Sequence, residues 1–338
     1  MQPSYTDCSR RPALSVVVPV FDEAEVICEL HRRLKAVMDG IGEAWEVVYV
    51  NDGSRDTTLL RLEALQESAP EVALVNLSRN FGKEIATTAG LDHARGAAVI
   101  VMDGDLQDPP EVIPRLVAAW RDGADMVYAQ RRMRQGETWL KKTTAALFYR
   151  LMRRFSDVQL PSDTGDFRLM SRRVVDALLQ LREHHRFMKG LFAWVGFPTT
   201  AVLYDREPRA AGTTKWSFWK LWNLAIEGIT SFSVMPLKLA TYIGLATAIF
   251  AAVFAAQLVL RTLLFGNPVA GYPSLMAIIL FLGGVQLITL GIIGEYLGRV
   301  FNETKQRPLY LVERYVPGQA AGFRFEGIPG SVAALAAD

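Results

Sequence analysis

The chain has 338 residues, half of them hydrophobic, with a formal net charge of +2 and a mean hydropathy of +0.15. This length suits one large or two ordinary domains with a substantial core. Acids and bases nearly balance, and no arginine-rich or aromatic-interleaved run occurs, which argues against a nucleic-acid-binding protein. The composition is too apolar for a typical soluble enzyme, and the excess lies after Val234.

The N-terminal part of the chain alternates short β-branched runs with segments of helical periodicity. Strands are predicted at residues 14–18, 45–50, 72–77, 97–102 and 125–129. Helices are predicted at residues 23–38, 56–67, 83–94 and 109–121. Such alternation predicts parallel βαβ units with right-handed crossovers, so the fold class is α/β.

The pattern loosens after the fifth predicted strand. It predicts a basic amphipathic helix at 139–154, a polar loop through Gly165, a helix at 172–181 and a strand at 199–204. Trp216, Trp219 and Trp222 then recur every three residues, which favours an amphipathic helix lying along a bilayer. An aromatic stripe in the protein core is the alternative.

Two later segments, 239–260 and 275–293, contain no charged residue. Each has about 20 residues, enough to cross a bilayer core, and a buried hairpin of a soluble protein is the alternative. The loop between them at 266–273 lacks Lys and Arg, whereas bases flank the pair, so the positive-inside rule places both termini in the cytoplasm. The predicted units are a cytoplasmic α/β domain at 1–212, an amphipathic juxtamembrane helix at 213–233, a two-helix transmembrane hairpin at 234–300 and a cytoplasmic C-terminal tail at 301–338, which is Ala-rich after Gly318.

Three acidic loops follow predicted parallel strands, at residues 19–25, 51–54 and 103–105. The carboxyl ends of such strands share one edge, where ligands bind. Asp103 and Asp105 supply oxygen ligands that suit Mg²⁺ or Mn²⁺; the alternative is a set of turn or helix-capping residues. No G-x-G-x-x-G or Walker lysine loop appears, so the sequence predicts that a cation neutralises a nucleotide diphosphate.

Seven segments carry a resemblance to a known family. They are VVVPVFDEAE at 16–25, VNDGSRDT at 50–57, SRNFGKE at 78–84, MDGDLQDPPE at 102–111, GDFRLMSR at 165–172, REPRAAGTTKW at 206–216 and NETKQRPLY at 302–310. The first five resemble inverting family-two glycosyltransferases with the GT-A fold. More narrowly, the chain resembles polyprenyl-phosphate glycosyltransferases, which include dolichol-phosphate mannose synthases and bactoprenol glucosyltransferases; the last two segments look most like the bactoprenol branch.

The resemblance implies roles for individual residues. The implied nucleotide contacts are Pro19, Glu23, Asp52, Lys83 and Asp103. The implied ligands and supports of Mg²⁺ or Mn²⁺ are Asp103, Asp105 and Gln107. The implied catalytic residues are Asp105, Arg206 and Asp166, of which Asp166 matches the family's proposed base. The Gln-x-x-Arg-Trp motif of processive synthases is absent, which favours transfer of one sugar per cycle.

The acceptor implied by the resemblance is a polyprenyl phosphate. A monophosphate with a second pKa of about 6 is largely ionised in the cytoplasm and needs little help from a base. We therefore expect Asp166 to position the acceptor, a sugar hydroxyl or Arg168. The bases expected to receive the phosphate are Arg131, Lys142, Arg206 and Lys215; the alternative for each is a solvated base or a lipid-headgroup contact.

The expected function is transfer of glucose from UDP-glucose to undecaprenyl phosphate, with inversion, on the cytoplasmic leaflet of the inner membrane. GDP-mannose, UDP-N-acetylhexosamines and a UDP-aminoarabinose derivative remain open as donors. A non-catalytic protein that binds lipid or a flippase is the rival of another class, and a soluble-sugar or polymer-extending transferase is another. The expected partners are the nucleotide sugar, the lipid acceptor, membrane lipid and further copies of the chain, without nucleic acid.

Overall fold

The computed structural model describes residues 12–131, 164–205, 235–265 and 271–318. Its strands are β1 (Leu14–Val20), β2 (Trp45–Asn51), β3 (Val72–Leu77), β4 (Ala98–Val101), β5 (Met126–Arg131), β6 (Thr164–Ser171), β7 (Thr199–Tyr204) and β8 (Val312–Val316). The helices are α1 (Ile27–Ile41), α2 (Thr58–Ser68), α3 (Lys83–His93), α4 (Ile113–Arg121), α5 (Arg172–Leu179), α6 (Met188–Trp194), α7 (Met235–Phe265) and α8 (Tyr272–Thr304), with a 3₁₀ turn at Pro110–Val112 before α4.

All eight strands join one sheet in the order β7-β5-β6-β4-β1-β2-β3-β8. The central strands β4, β1, β2 and β3 run parallel, and their β-branched runs are buried on both faces, as parallel sheets require. Apolar residues of α1, α2 and α4 cover one face, and those of α3, α5 and α6 cover the other. The predicted α/β class is confirmed.

Two strands were not predicted. The polar loop was predicted to run through Gly165, but its last two residues already belong to Thr164–Ser171, which forms β6 between β4 and β5, antiparallel to both. The rest of that loop lies outside the described residues. In β6, Phe167 and Leu169 face one core while Met170 faces the other. The second unpredicted strand, β8, pairs antiparallel with β3. Residues 312–316, which we expected to lie in the C-terminal tail, therefore belong to the main sheet.

Helices α7 and α8 follow the sheet domain and are long and apolar enough to cross a membrane. The apolar stretches long enough to do so are Leu237–Phe254 and Phe281–Thr304, in which 6% and 0% of the residues are buried. Large apolar side chains such as Phe250 and Leu287 are 66% and 71% exposed. An apolar surface of this extent needs a non-aqueous surrounding, which agrees with the two predicted transmembrane helices.

Several predictions concern residues outside the described ranges. They are the helix at 139–154, the Trp216–Trp219–Trp222 helix, the tail after Gly318, and the candidate residues Lys142, Arg206 and Lys215.

Candidate active site

The loops after β1 and β2 are joined by hydrogen bonds. The backbone N–H of Glu23 donates to Thr58 Oγ1 at 2.9 Å, and that of Ala24 donates to Asp56 Oδ2 at 3.3 Å. Thr58 is the first residue of α2. Because the N–H groups of Glu23 and Ala24 are bonded to this region, they do not start a helix, and α1 begins at Ile27, four residues later than predicted. Two of the three acidic loops therefore form one surface.

Asp52 connects this surface to the loop after β3. Asp52 is 3% exposed, and its carboxylate accepts the backbone N–H groups of Phe81 at 2.7 Å and Gly82 at 2.9 Å. Burial raises the pKa of Asp52, and the two N–H groups oppose that rise by stabilising the anion. Asp52 thereby fixes the turn immediately before α3, whose first residue is Lys83.

Lys83 bridges two carboxylates at the carboxyl edge of the sheet. Its Nζ lies 2.6 Å from Asp103 Oδ1 and 2.5 Å from Asp166 Oδ2. The pairing of β4 with β6 explains the meeting of the acids: Val101 lies opposite Arg168, and extending that antiparallel register by two residues brings Asp103 opposite Asp166. The unpredicted strand β6 is thus what carries Asp166 to the D-x-D loop, which is Asp103-Gly104-Asp105.

The charges of this cluster shift one another's protonation. Burial raises the pKa of Asp166, but Lys83 and Lys189 outweigh it and hold that pKa well below its usual range. Burial lowers the pKa of Lys83, and the two aspartates more than reverse this. Burial and the nearby charge of Asp166 raise the pKa of Glu84 to about 7, although Lys83 and Lys189 oppose the rise.

Asp105 sits deeper in the D-x-D loop than Asp103. It is 8% exposed, and its Oδ1 accepts the backbone N–H of Gln107 at 3.1 Å. Leu106, between them, has φ +59, a left-handed conformation that costs a non-glycine residue about 1–2 kcal/mol. That turn directs the Gln107 N–H to Asp105, so Gln107 supports Asp105 through its backbone.

Arg131, the last described residue of β5, belongs to a second polar group at the site. Its Nε contacts Tyr204 Oη at 3.5 Å, and Tyr204 Oη donates to the buried Asp108 at 2.6 Å. Burial lowers the pKa of Arg131, but Tyr204, Asp108 and Asp103 reverse the effect and raise it. The guanidinium therefore stays charged within the electrostatic reach of Asp103.

Arg168 lies on the same face of β6 as Asp166. It is 4% exposed; its Nη2 donates to Gly165 O at 2.9 Å, and its Cζ stands 3.7 Å from the ring centroid of Phe192. Burial lowers the pKa of Arg168 to about 10 despite the nearby charges of Asp166 and Glu84. Arg168 thus links the backbone next to Asp166 to α6.

The carboxylates have the chemistry of a divalent-cation site. Asp166 Oδ1 is buried and accepts no hydrogen bond from any described residue, and carboxylate oxygens are the ligands that Mg²⁺ and Mn²⁺ prefer. Within the described ranges no group of three or more acidic, His or Cys side chains is arranged to hold a metal alone. Mg²⁺ is commonly held by one or two carboxylates and completed by substrate phosphates, which fits Asp103 and Asp105.

The described candidates thus lie on connected loops, and two neighbours were missed. Pro19 lies in β1, and Pro19 O is 3.5 Å from where a side chain at Gly104 would begin. Glu84 and Lys189, which influence the cluster, were not predicted. Glu84 could have been predicted from the sequence, because it is the last residue of the SRNFGKE segment, whereas Lys189 lies on α6 in a segment without a recognised motif.

The sequence matches known proteins over most of its length. Residues 15–179 match the family described as Glycosyl transferase family 2. An uncharacterized glycosyltransferase of Synechocystis sp. is 56% identical over 299 residues, 88% of this chain and 94% of that protein. The prophage bactoprenol glucosyl transferase homolog of Escherichia coli K12 is 50% identical over 301 residues, 89% of this chain and 98% of that protein.

A solved structure shows a weaker similarity. Glucosyl-3-phosphoglycerate synthase from Mycobacterium tuberculosis, solved with phosphoglyceric acid, aligns with a TM-score of 0.44 and 20% identity, over 66% of this chain and 78% of that one.

Proposed function

Because the chain belongs to glycosyl transferase family 2, we propose that it transfers one sugar from a nucleotide diphosphate donor to a polyprenyl phosphate, inverting the anomeric centre. The mostly parallel α/β sheet agrees with the GT-A domain expected from the sequence, and the two apolar helices agree with the transmembrane hairpin expected after that domain. Bactoprenol glucosyl transferases of Shigella phages SfII and SfX are 50% identical to this chain, which supports a polyprenyl phosphate as the acceptor.

The observation that carries the proposal is the meeting of Asp103 and Asp166 at Lys83, on the edge where the strand ends converge. An inverting transfer needs an in-line nucleophile and a neutralised leaving group, held in a site that excludes water. A D-x-D loop beside a second acid and a fixed cation suits these needs. A protein that only binds lipid has no use for such a cluster.

We assign the donor to the surface formed by the loops after β1, β2 and β3. Pro19, Glu23 and Asp52 belong to this surface, and Asp52 shapes it through its bonds to Phe81 and Gly82. Asp103 and Asp105, with Gln107 in support, would hold Mg²⁺ or Mn²⁺. When bound, the ion would offset the negative charge of the donor's diphosphate.

We assign Asp166 a positioning role. A carboxylate whose pKa is held low is a weak base, and an ionised phosphate is already a nucleophile. Lys83 binds Oδ2 of Asp166, while Oδ1 is buried and has no hydrogen-bond partner among the described residues. Oδ1 is therefore available to orient a bound hydroxyl or to face the divalent metal ion. Lys83 offsets the charge of the paired acids before substrates arrive.

The acceptor phosphate needs cations that are separate from the acidic loop. Arg131 stays charged beside Asp103 and is the described candidate; Lys142, Arg206 and Lys215 complete the proposed set, with Arg206 as a catalytic contact. The flanking bases of α7 and α8 favour a cytoplasmic catalytic domain and cytoplasmic termini, so the reaction would occur on the cytoplasmic leaflet.

UDP-glucose is the first donor to test, since relatives are named glucosyl transferases. Full-length protein in detergent would be incubated with undecaprenyl phosphate and one labelled donor per reaction. The four donors are UDP-glucose, GDP-mannose, UDP-N-acetylglucosamine and UDP-aminoarabinose. We expect label in a chloroform-soluble product with UDP-glucose and its loss with EDTA. Label from another donor alone would reassign the sugar, and product formation unaffected by EDTA would overturn the metal assignment.

A further inference from the structure

The end of α8 is attached to the catalytic domain by polar contacts. Glu303 Oε1 accepts the backbone N–H of His184 at 2.7 Å, and the Asn302 amide lies 3.1 Å from His185 Nε2. Both histidines belong to the segment 182–188, which follows α5 and ends at the first residue of α6. Asn302 and Glu303 open the NETKQRPLY segment, to which the proposed chemistry assigns no role.

The segment 182–188 is braced along α3, the helix that carries Lys83. At one end Arg182 forms two hydrogen bonds with Asp92, at 2.8 and 2.6 Å, and Tyr310 Oη donates to the same carboxylate at 2.6 Å. At the other end the backbone N–H of Met188 donates to Glu84 Oε2 at 3.3 Å. Both ends of α3 are thus held by this one segment.

The interior of the segment is built to stay in one conformation. Arg186 is 4% exposed; its Nη1 donates to Leu181 O, and its Nη2 contacts Met188 Sδ at 3.7 Å. Phe187 and Met188 are buried. A shift at His184 should therefore be passed to Met188 and not absorbed between them, because a packed and bonded segment does not deform freely.

From these contacts we infer that Glu303 is a positioning residue for the active site. Glu303 holds the segment 182–188, the segment holds Glu84, and Glu84 adjoins Lys83, which bridges Asp103 and Asp166. The hairpin α7–α8 thereby does more than attach the catalytic domain to lipid. The end of α8 sets the position of the Lys83 ammonium between the carboxylates of Asp103 and Asp166.

A merely anchoring hairpin predicts a different result. If α8 only delivered the lipid acceptor, weakening its contact with the domain would raise the KM for the lipid and leave kcat unchanged. A positioning contact predicts the reverse, since misplacing the groups that act in the transition state lowers kcat. This kinetic comparison uses the proposed function, whereas the amide-exchange measurement described below does not.

The test compares Glu303→Ala with two variants. Glu303→Gln keeps an oxygen that accepts the His184 N–H, and Glu295→Ala removes a charge from the same helix, where Glu295 pairs with Arg299. We expect Glu303→Ala to lower kcat about tenfold, roughly 1.4 kcal/mol, with the lipid KM changed less than about twofold. Glu303→Gln should recover most of kcat, and Glu295→Ala should match the wild type.

Amide hydrogen exchange on the full-length protein tests the same path without activity. Glu303→Ala should speed exchange in both 182–188 and the start of α3, about tenfold relative to Glu295→Ala. Faster exchange confined to 182–188, or a raised lipid KM with normal kcat, would overturn the inference. A wild type that makes no glycolipid would overturn the proposed function, while the exchange result would still decide the role of Glu303.

Discussion

Replacing Lys83 with Met leaves two carboxylates facing one another without their shared cation. Breaking a fully buried ion pair costs about 3–5 kcal/mol, whereas exposed pairs contribute about 1 kcal/mol or less. Lys83 is 45% exposed, and its partners Asp103 and Asp166 are 24% and 15% exposed. The expected loss of stability therefore lies between these limits, at about 1–2 kcal/mol.

The loss should appear in thermal unfolding and should respond to metal. In a domain of this size 1 kcal/mol corresponds to about 2–4 °C in Tm, so Lys83→Met should unfold about 2–8 °C below the wild type. Mn²⁺ should raise the Tm of Lys83→Met more than that of the wild type, because a divalent cation can replace the lost ammonium between the acids. Turnover should fall at least about 100-fold, as on removal of a group that stabilises transition-state charge.

Lys35 provides a matched control. It is 44% exposed and forms a 2.6 Å ion pair with the buried Glu71, away from the D-x-D loop. Lys35→Met should therefore lower Tm by a similar amount, retain turnover and show no added response to Mn²⁺. The reasoning is refuted if Lys83→Met unfolds and turns over like the wild type, or if Lys35→Met loses activity equally.

Three further predictions concern the same loops. Asp105→Asn should abolish turnover at every Mn²⁺ concentration, measured as product formed by purified protein. Asp166→Asn should keep measurable turnover, with no new carboxylate-like limb in its pH–rate profile. Glu84 binds a proton more tightly in the folded state, with a pKa of about 7 against an ordinary value of 4.5. The free energy of unfolding of the wild type should therefore fall relative to that of Glu84→Gln as the pH rises from about 4.5 to 7, by at most about 3 kcal/mol. Urea unfolding at several pH values would measure the difference.

Each of these predictions has a contrary outcome. Wild-type turnover in Asp105→Asn would remove Asp105 from the metal site. Complete loss of turnover in Asp166→Asn with the acceptor still bound would identify Asp166 as the base. A difference between Glu84→Gln and the wild type that does not change over pH 4.5–7 would show that Glu84 is not held protonated by its surroundings.

The central sheet could be predicted because its signal is local. The strand at 72–77 and the strand at 199–204 match their predicted bounds, since β-branched runs between turn residues indicate strands directly. The first helix was predicted four residues too early. The backbone N–H groups of Glu23 and Ala24, which we expected in its first turn, donate instead to Thr58 and Asp56. Those two acceptors belong to a separate part of the chain, after β2, and therefore leave no local signal.

The strands β6 and β8 could not be predicted, for two reasons. Asp166 and Arg168 put charges in the interior of β6, where they pair with the cluster and with α6, so hydrophobic alternation is masked. The strand β8 lies after both apolar helices and pairs with β3, which precedes them, and pairing between such distant segments leaves no local pattern.

The candidate site divides in the same way. Two acids after a buried strand predict Asp103 and Asp105 at the sheet edge. The sequence placed Lys83 and Asp166 in separate segments, and only the antiparallel register of β6 brings Asp166 opposite Asp103. The role of Glu84 depends on its contact with the backbone N–H of Met188 at the start of α6, and that of Lys189 on its charge near Asp166; neither contact leaves a sequence motif.

The central claim is that this chain makes a polyprenyl-phosphate-linked sugar. The most direct measurement is the transfer of radiolabelled glucose from UDP-glucose to undecaprenyl phosphate by the purified full-length protein, with release of UDP measured in parallel. We predict one labelled lipid formed per UDP released, and no labelled lipid from Asp105→Asn. UDP release without labelled lipid, or no labelled lipid with any of the four donors, would contradict the account.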